Sequence, residues 1–179
     1  MKLIKPLCIL LFLTLVFKSD ISVSQTNKPK PPDRMKMLGA FNGEWKGEME
    51  IKQAKKTVKY KLTHTSEKIV AGWGIQITEL AMIPDKGKYQ AAKIFSSSSV
   101  SDSTYMYSID NFGETWFYIG TWETNKKLVL RSKMDLNGKV TEKEITYTFL
   151  NPKQYNYRSI TKIAGTPDET VEMSMSKGQ

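Results

Sequence analysis

LGAFNGEWKGEMEIK, residues 38–52, changes its period partway along. Upstream of Gly43, Met35, Leu38 and Phe41 recur at helical spacing behind Asp33, a residue suited to begin a helix; Gly39 or Gly43 is placed to end it. Downstream, Trp45, Gly47, Met49 and Ile51 alternate with Glu44, Lys46, Glu48, Glu50 and Lys52. A period of two with charge on one side predicts a strand with one dry and one wet face. Residues 57–66 repeat the alternation, with Val58, Tyr60, Leu62 and His64 on the apolar side.

Further strand-like runs follow at 73–82, 89–97, 104–109, 115–122, 127–134, 140–149, 154–163 and 170–176. Between most of them stand PDKGK (84–88), DNFGE (110–114), DLNGK (135–139), NPK (151–153) and AGTPDE (164–169), which supply the Gly, Asn, Asp and Pro of chain reversals. Such short connections favour antiparallel neighbours over crossover helices. The expectation is all-β: about ten antiparallel strands, up and down, closing into a barrel behind a short N-terminal helix. Closure removes the exposed edges that an open sheet of this size would carry. Gly47, Ala81, Ala92, Ser96, Ser98 and Gly120 are small residues expected to thin the lining.

The residues ahead of this pattern read differently. Lys2 and Lys5 precede an apolar run from Cys8 to Phe17, too short to span a bilayer as a helix, and Ser22 and Ser24 stand where a signal peptidase cuts. Residues 1–24 are therefore expected to be a signal peptide, 25–34 a flexible polar lead rich in proline, and 35–179 one barrel domain, secreted or periplasmic, with no membrane span after cleavage. Cleavage before Gln25 leaves 155 residues without a cysteine and takes the net charge from +9 to +7. Thiol chemistry and cysteine-ligated metal are excluded, and the single histidine, His64, excludes a two-histidine metal motif. The lysines are spread among Glu and Thr rather than clustered, a pattern of solvated strand faces and not of a nucleic-acid-binding arm.

The opening motif, with Leu38, Gly39, Gly43, Trp45 and Gly47 in a leucine-glycine then Gly-x-Trp-x-Gly arrangement, resembles the start of calycin-type small barrels. These include lipocalins, fatty-acid-binding proteins and nitrobindin-like exported bacterial domains. YSIDNFGETWFYIGTWE, 107–123, also looks like a strand-turn-strand of such exported domains of uncharacterised role. The resemblance implies that Trp45 plugs one end of the barrel, that a basic side chain, Arg158 or Arg131, packs over it, and that the interior takes an apolar or planar ligand. The nitrobindin branch holds haem through a late histidine. This chain has none from Val140 to Gln179, leaving only Tyr147, Tyr155 and Tyr157 as late ligands for iron, so no haem or other cofactor is expected.

Facing selects Met49, Tyr60, Leu62, His64, Ile77, Glu79, Tyr118 and Tyr147 as lining for a small hydrophobic or amphipathic molecule. His64 and Glu79 are the candidates for acid–base work, and a lipocalin-like isomerase, cyclase or lyase is the alternative to a non-enzymatic binder. That chemistry requires the two side chains within hydrogen-bonding reach. No nucleophile elbow or phosphate loop accompanies them. A third class, an envelope interaction module without a ligand, would show an exposed apolar patch. The serine-rich run 95–108, the aromatics Tyr105, Tyr107, Trp116, Phe117, Tyr118 and Trp122, and Met134, Met173 and Met175 are read first as strand ends and core, and second as ligand contacts.

Overall fold

The computed structural model describes residues 33–136 and 138–178; the segment expected to be a signal peptide and nearly all of the expected polar lead lie outside them. A six-residue helix, α1 (Asp33–Leu38), runs into a 3-10 turn (Gly39–Phe41), and Met35, Leu38 and Phe41 are buried as their spacing predicts. Gly43 then adopts φ +110°, a conformation that side chains disfavour, and turns the chain into the first strand.

Ten strands follow: β1 (Gly43–Gln53), β2 (Lys56–Ile69), β3 (Gly74–Ile83), β4 (Gly87–Ser97), β5 (Thr104–Asp110), β6 (Thr115–Thr124), β7 (Lys127–Leu136), β8 (Lys139–Asn151), β9 (Gln154–Ile163) and β10 (Glu169–Lys177). Each is antiparallel to its sequence neighbours, and β1 pairs with β10 from Trp45↔Lys177 to Gln53↔Glu169, closing the barrel. The expected up-and-down architecture is the observed one. It follows from alternation on each strand: the inner positions supply one aromatic and aliphatic core, while the outer positions carry most of the charge and pair it across strands, as in Lys52–Glu172, Arg131–Glu144 and Lys133–Glu142.

The strand β4 departs from the expected facing. Ala91, Lys93, Phe95 and Ser97 are its buried positions, whereas Ala92 and Ser96 lie on the other face, so these two do not thin the lining. The reason is Lys93: its charge belongs inside, which reverses the parity that a wet-face lysine would set.

Gly47 and Gly120 serve contact between strands rather than empty space. A Cβ at Gly47 would run into the Ser174 carbonyl and the Met175 sulfur, and one at Gly120 into the Val129 carbonyl and Leu130 Cα. Both glycines let a neighbouring strand cross closely where the sheet coils. Because backbone atoms cannot step aside as a flexible side chain can, Gly120→Ala is expected to cost about 1–3 kcal/mol. Equilibrium urea unfolding checks this, with an unchanged midpoint as the contrary result.

Candidate functional site

The two ends of the barrel differ. At the end under α1, the Phe41 ring lies among Phe95, Tyr147, Phe149 and Tyr155, with centroids 4.9–5.6 Å away. The Phe41 carbonyl gathers three donors: Trp45 Nε1 at 2.8 Å, His64 Nε2 at a long 3.5 Å, and Ser66 Oγ in a short contact. Trp45 is fully buried in the plug that these side chains form. The cation over its ring is neither arginine: Lys177 Nζ lies 5.4 Å from the Trp45 centroid. Arg158 and Arg131 are the corrections, since both stand on the exposed outer face, paired with Glu172 and Glu144.

His64 belongs to this plug. Its Nδ1 lies 2.7 Å from the Tyr155 hydroxyl. With Nε2 facing a carbonyl, the consistent arrangement is neutral imidazole carrying its proton on Nε2 and accepting from Tyr155 on Nδ1. Burial lowers the His64 pKa to about 4; Glu79 acts in the opposite direction.

Glu79 sits directly opposite His64 in the β2–β3 register, so both enter the interior. Yet Glu79 Oε1 accepts from Lys93 Nζ at 2.5 Å, and Glu79 Oε2 is buried without a hydrogen-bond partner among the described residues. Burial works against the Lys93 charge, but the Glu79 carboxylate, with smaller contributions from Tyr157 and Tyr89, raises the lysine pKa on balance. Lys93 also lies over the Tyr157 ring, 5.3 Å from its centroid. No direct hydrogen bond joins His64 and Glu79; each is engaged elsewhere, the histidine with the plug and the carboxylate with Lys93.

Towards the other end the lining loosens. Trp45, Phe95, Met106 and Leu128 are fully covered at the plug, whereas Tyr60, Tyr157 and Thr161 each keep 8% exposure on the inner face. That end opens into a pocket of about 530 Å³ whose lining includes Trp116, Met134, Thr141, Lys143, Thr161 and Glu169. Ser159 Oγ and Thr161 Oγ1, successive inner positions of β9, are buried and unpartnered, like Glu79 Oε2. All eight residues chosen by facing are buried on the inner side, but none lines this mouth pocket. Trp116 and Met134, which do, are read from sequence first as core and second as ligand contacts; Lys143 counts there among the solvated lysines, and Thr161 carries no expectation.

Another depression, about 520 Å³, lies along β6 to β9, where Arg131–Glu144 and Lys133–Glu142 satisfy one another; Ser132 and Lys143 also contribute to its lining. The outer face of β4 to β6 is instead apolar. Ile94 is the register partner of Tyr107 and Tyr107 of Phe117, all more than 40% exposed, and Tyr105 stacks on Phe117 at 6.2 Å. Among the described residues no helix is long and apolar enough to cross a membrane, and no cluster of His, Cys, Asp and Glu could hold a metal ion.

A closed ten-stranded barrel with this plug is a calycin-like small β-barrel. Among solved structures, Rv2717c from M. tuberculosis superposes with a TM-score of 0.66 at 13% identity, over 84% of this chain and 100% of that one. The S-type phycobiliprotein lyase CPES from Guillardia theta superposes with a TM-score of 0.61 at 8% identity, over 84% and 99%. At such identities the likeness shows the fold alone. No family model matches the chain, and no curated protein matches it in sequence.

The His64 environment has a consequence for acid stability. With its folded pKa near 4 and its unfolded value near 6.5, the histidine takes up a proton more readily in the unfolded chain, so its stabilising contribution is complete above about pH 6.5 and is lost as pH falls towards 4. The shift corresponds to about 3 kcal/mol. The unfolding free-energy difference between the wild type and His64→Asn should narrow by that order between pH 7 and pH 4, measured by urea titration at each pH. A pH-independent difference would contradict the neutral, buried assignment.

Proposed function

We propose that this protein is a non-enzymatic binder of a small hydrophobic or amphipathic molecule, taken in through the end of the barrel opposite α1. The observation that carries the reading is that three of the four buried polar atoms without a partner among the described residues, Glu79 Oε2, Ser159 Oγ and Thr161 Oγ1, lie on the inner wall away from the plug, beneath an aromatic-edged opening; the fourth, Trp122 Nε1, lies beside Phe149 at the plug. A buried polar atom without a partner costs about 1–3 kcal/mol, and a ligand's donors and acceptors are one means of satisfying it. The mixture of apolar wall and few polar groups is that of small-molecule sites generally.

His64 takes a structural part in this reading, since both ring nitrogens are turned to the plug, and Glu79 with Lys93 forms a polar floor for the ligand. Export to the periplasm or beyond remains part of the proposal, on the strength of residues 1–24. A second reading, an interaction module, draws on the exposed Ile94–Tyr107–Phe117 row, whose contiguity exceeds scattered surface apolarity.

Titration with N-phenyl-1-naphthylamine, a neutral probe that brightens in apolar surroundings, tests the binding reading, together with mass spectrometry of molecules extracted from the purified protein. Saturable one-to-one binding that an extracted compound displaces is the expected result. Absence of saturable binding together with an extract free of small molecules would favour the interaction module.

A further inference from the structure

Lys143 is an inner-face charge for which the described residues supply no counter-charge in contact. It enters the interior from β8 between Thr141 and Ile145, and its ammonium lies over the Trp116 ring, 4.9 Å from the centroid. Among the described residues no carboxylate lies within 4.0 Å of it, in contrast to Lys93, which is joined to Glu79. Its register neighbours are Ser132 on β7 and Thr161 on β9, both buried on the inner face, so Lys143 is the middle residue of a row across three strands whose other two members bear hydroxyls. The Thr161 hydroxyl is among the unpartnered atoms.

Two carboxylates face the same mouth. Glu114 Oε2 receives Trp116 Nε1 at 3.3 Å, on the edge of the ring whose face Lys143 covers. Glu169 stands beyond Thr161, its register partner on β10, one further strand from the lysine. Both act on Lys143 through space, and burial nevertheless lowers its pKa. An anion seated beside the lysine would supply the contact that these carboxylates do not, with hydroxyl hydrogens available from either side.

From this row we infer that Lys143, with Thr161 and Ser132, is the subsite for the anionic head group of an amphipathic ligand whose apolar body lies along Trp116 and the inner wall. The inference rests on the ligand-binding reading and gives its ligand a charge and an orientation, with the head at the mouth. An ammonium held over an aromatic ring, on a residue whose neighbours in the row bear hydroxyls, suits a carboxylate or sulfonate and offers nothing specific to a neutral or cationic head.

The test uses two probes with the same ring system, 8-anilinonaphthalene-1-sulfonate and the neutral N-phenyl-1-naphthylamine, on the wild type, Lys143→Met and Lys143→Arg, each checked for folding by circular dichroism. Lys143→Met keeps the length and removes the charge. It is expected to weaken the sulfonate tenfold or more and to leave the neutral probe within twofold, while Lys143→Arg retains sulfonate binding. Dodecanoate should displace the neutral probe from the wild type better than 1-dodecanol does, and that preference should vanish in Lys143→Met. Equal affinities of wild type and Lys143→Met for the sulfonate, including binding confined to the outer Tyr107–Phe117 patch, would overturn the inference, as would an equal loss of both probes. Failure of the wild type to bind either probe would overturn the ligand-binding reading along with it.

Discussion

The carbonyl of Phe41 is where the helix, the first two strands and the core meet. A backbone acceptor at the end of a short helix would ordinarily turn to water; here Trp45, Ser66 and His64 converge on it in a dry interior. The convergence fixes the helix end against the barrel, and the Phe41 ring, driven into the aromatic cluster, seals that end. Only a residue with no side chain turns the chain comfortably at Gly43, φ +110°, from this seal into β1. One end being closed in this way, any ligand space is left to the other.

The interior is accordingly graded. Near the plug, polar atoms are mostly paired with one another, His64 with Tyr155 and the carbonyl, Trp45 with the same carbonyl. In the middle a buried ion pair is half satisfied, with Glu79 Oε1 held by Lys93 and Oε2 left over. Removing one member of such a pair is costlier than replacing both, because the survivor is a buried charge without a partner. The polar floor therefore constrains the fold as well as any ligand. At the mouth, among the described residues, Lys143 has no contacting counter-ion and the Thr161 hydroxyl no partner.

Much of the fold was legible because period-two alternation and turn residues are local signals. The ten strands, the helix face of Met35, Leu38 and Phe41, and the inward facing of Trp45, His64 and Glu79 all followed from spacing. The site was less legible. Lys93 and Lys143 obey the same parity as their apolar neighbours, but a lysine in a basic chain reads as solvated, and only the packed structure shows otherwise, with Lys93 on Glu79 of the adjacent strand and Lys143 over the Trp116 ring. Glu79, already facing inward, did carry a signal: a buried carboxylate requires a cation, and β4 alongside offered Lys93. Which cation covers Trp45 was a question of closure, since Lys177 arrives through the β1–β10 pairing, the longest-range contact in the chain.

A barrel sealed at one end, as proposed, takes its ligand at the other. Two-dimensional NMR of the protein with and without N-phenyl-1-naphthylamine tests this most directly, by locating the side chains whose resonances move. The account predicts shifts at Trp116, Tyr118, Lys143 and Thr161, with the His64–Tyr155 pair and Trp45 unmoved. Shifts confined to Tyr107 and Phe117 on the outer face, or centred on the plug, would contradict it.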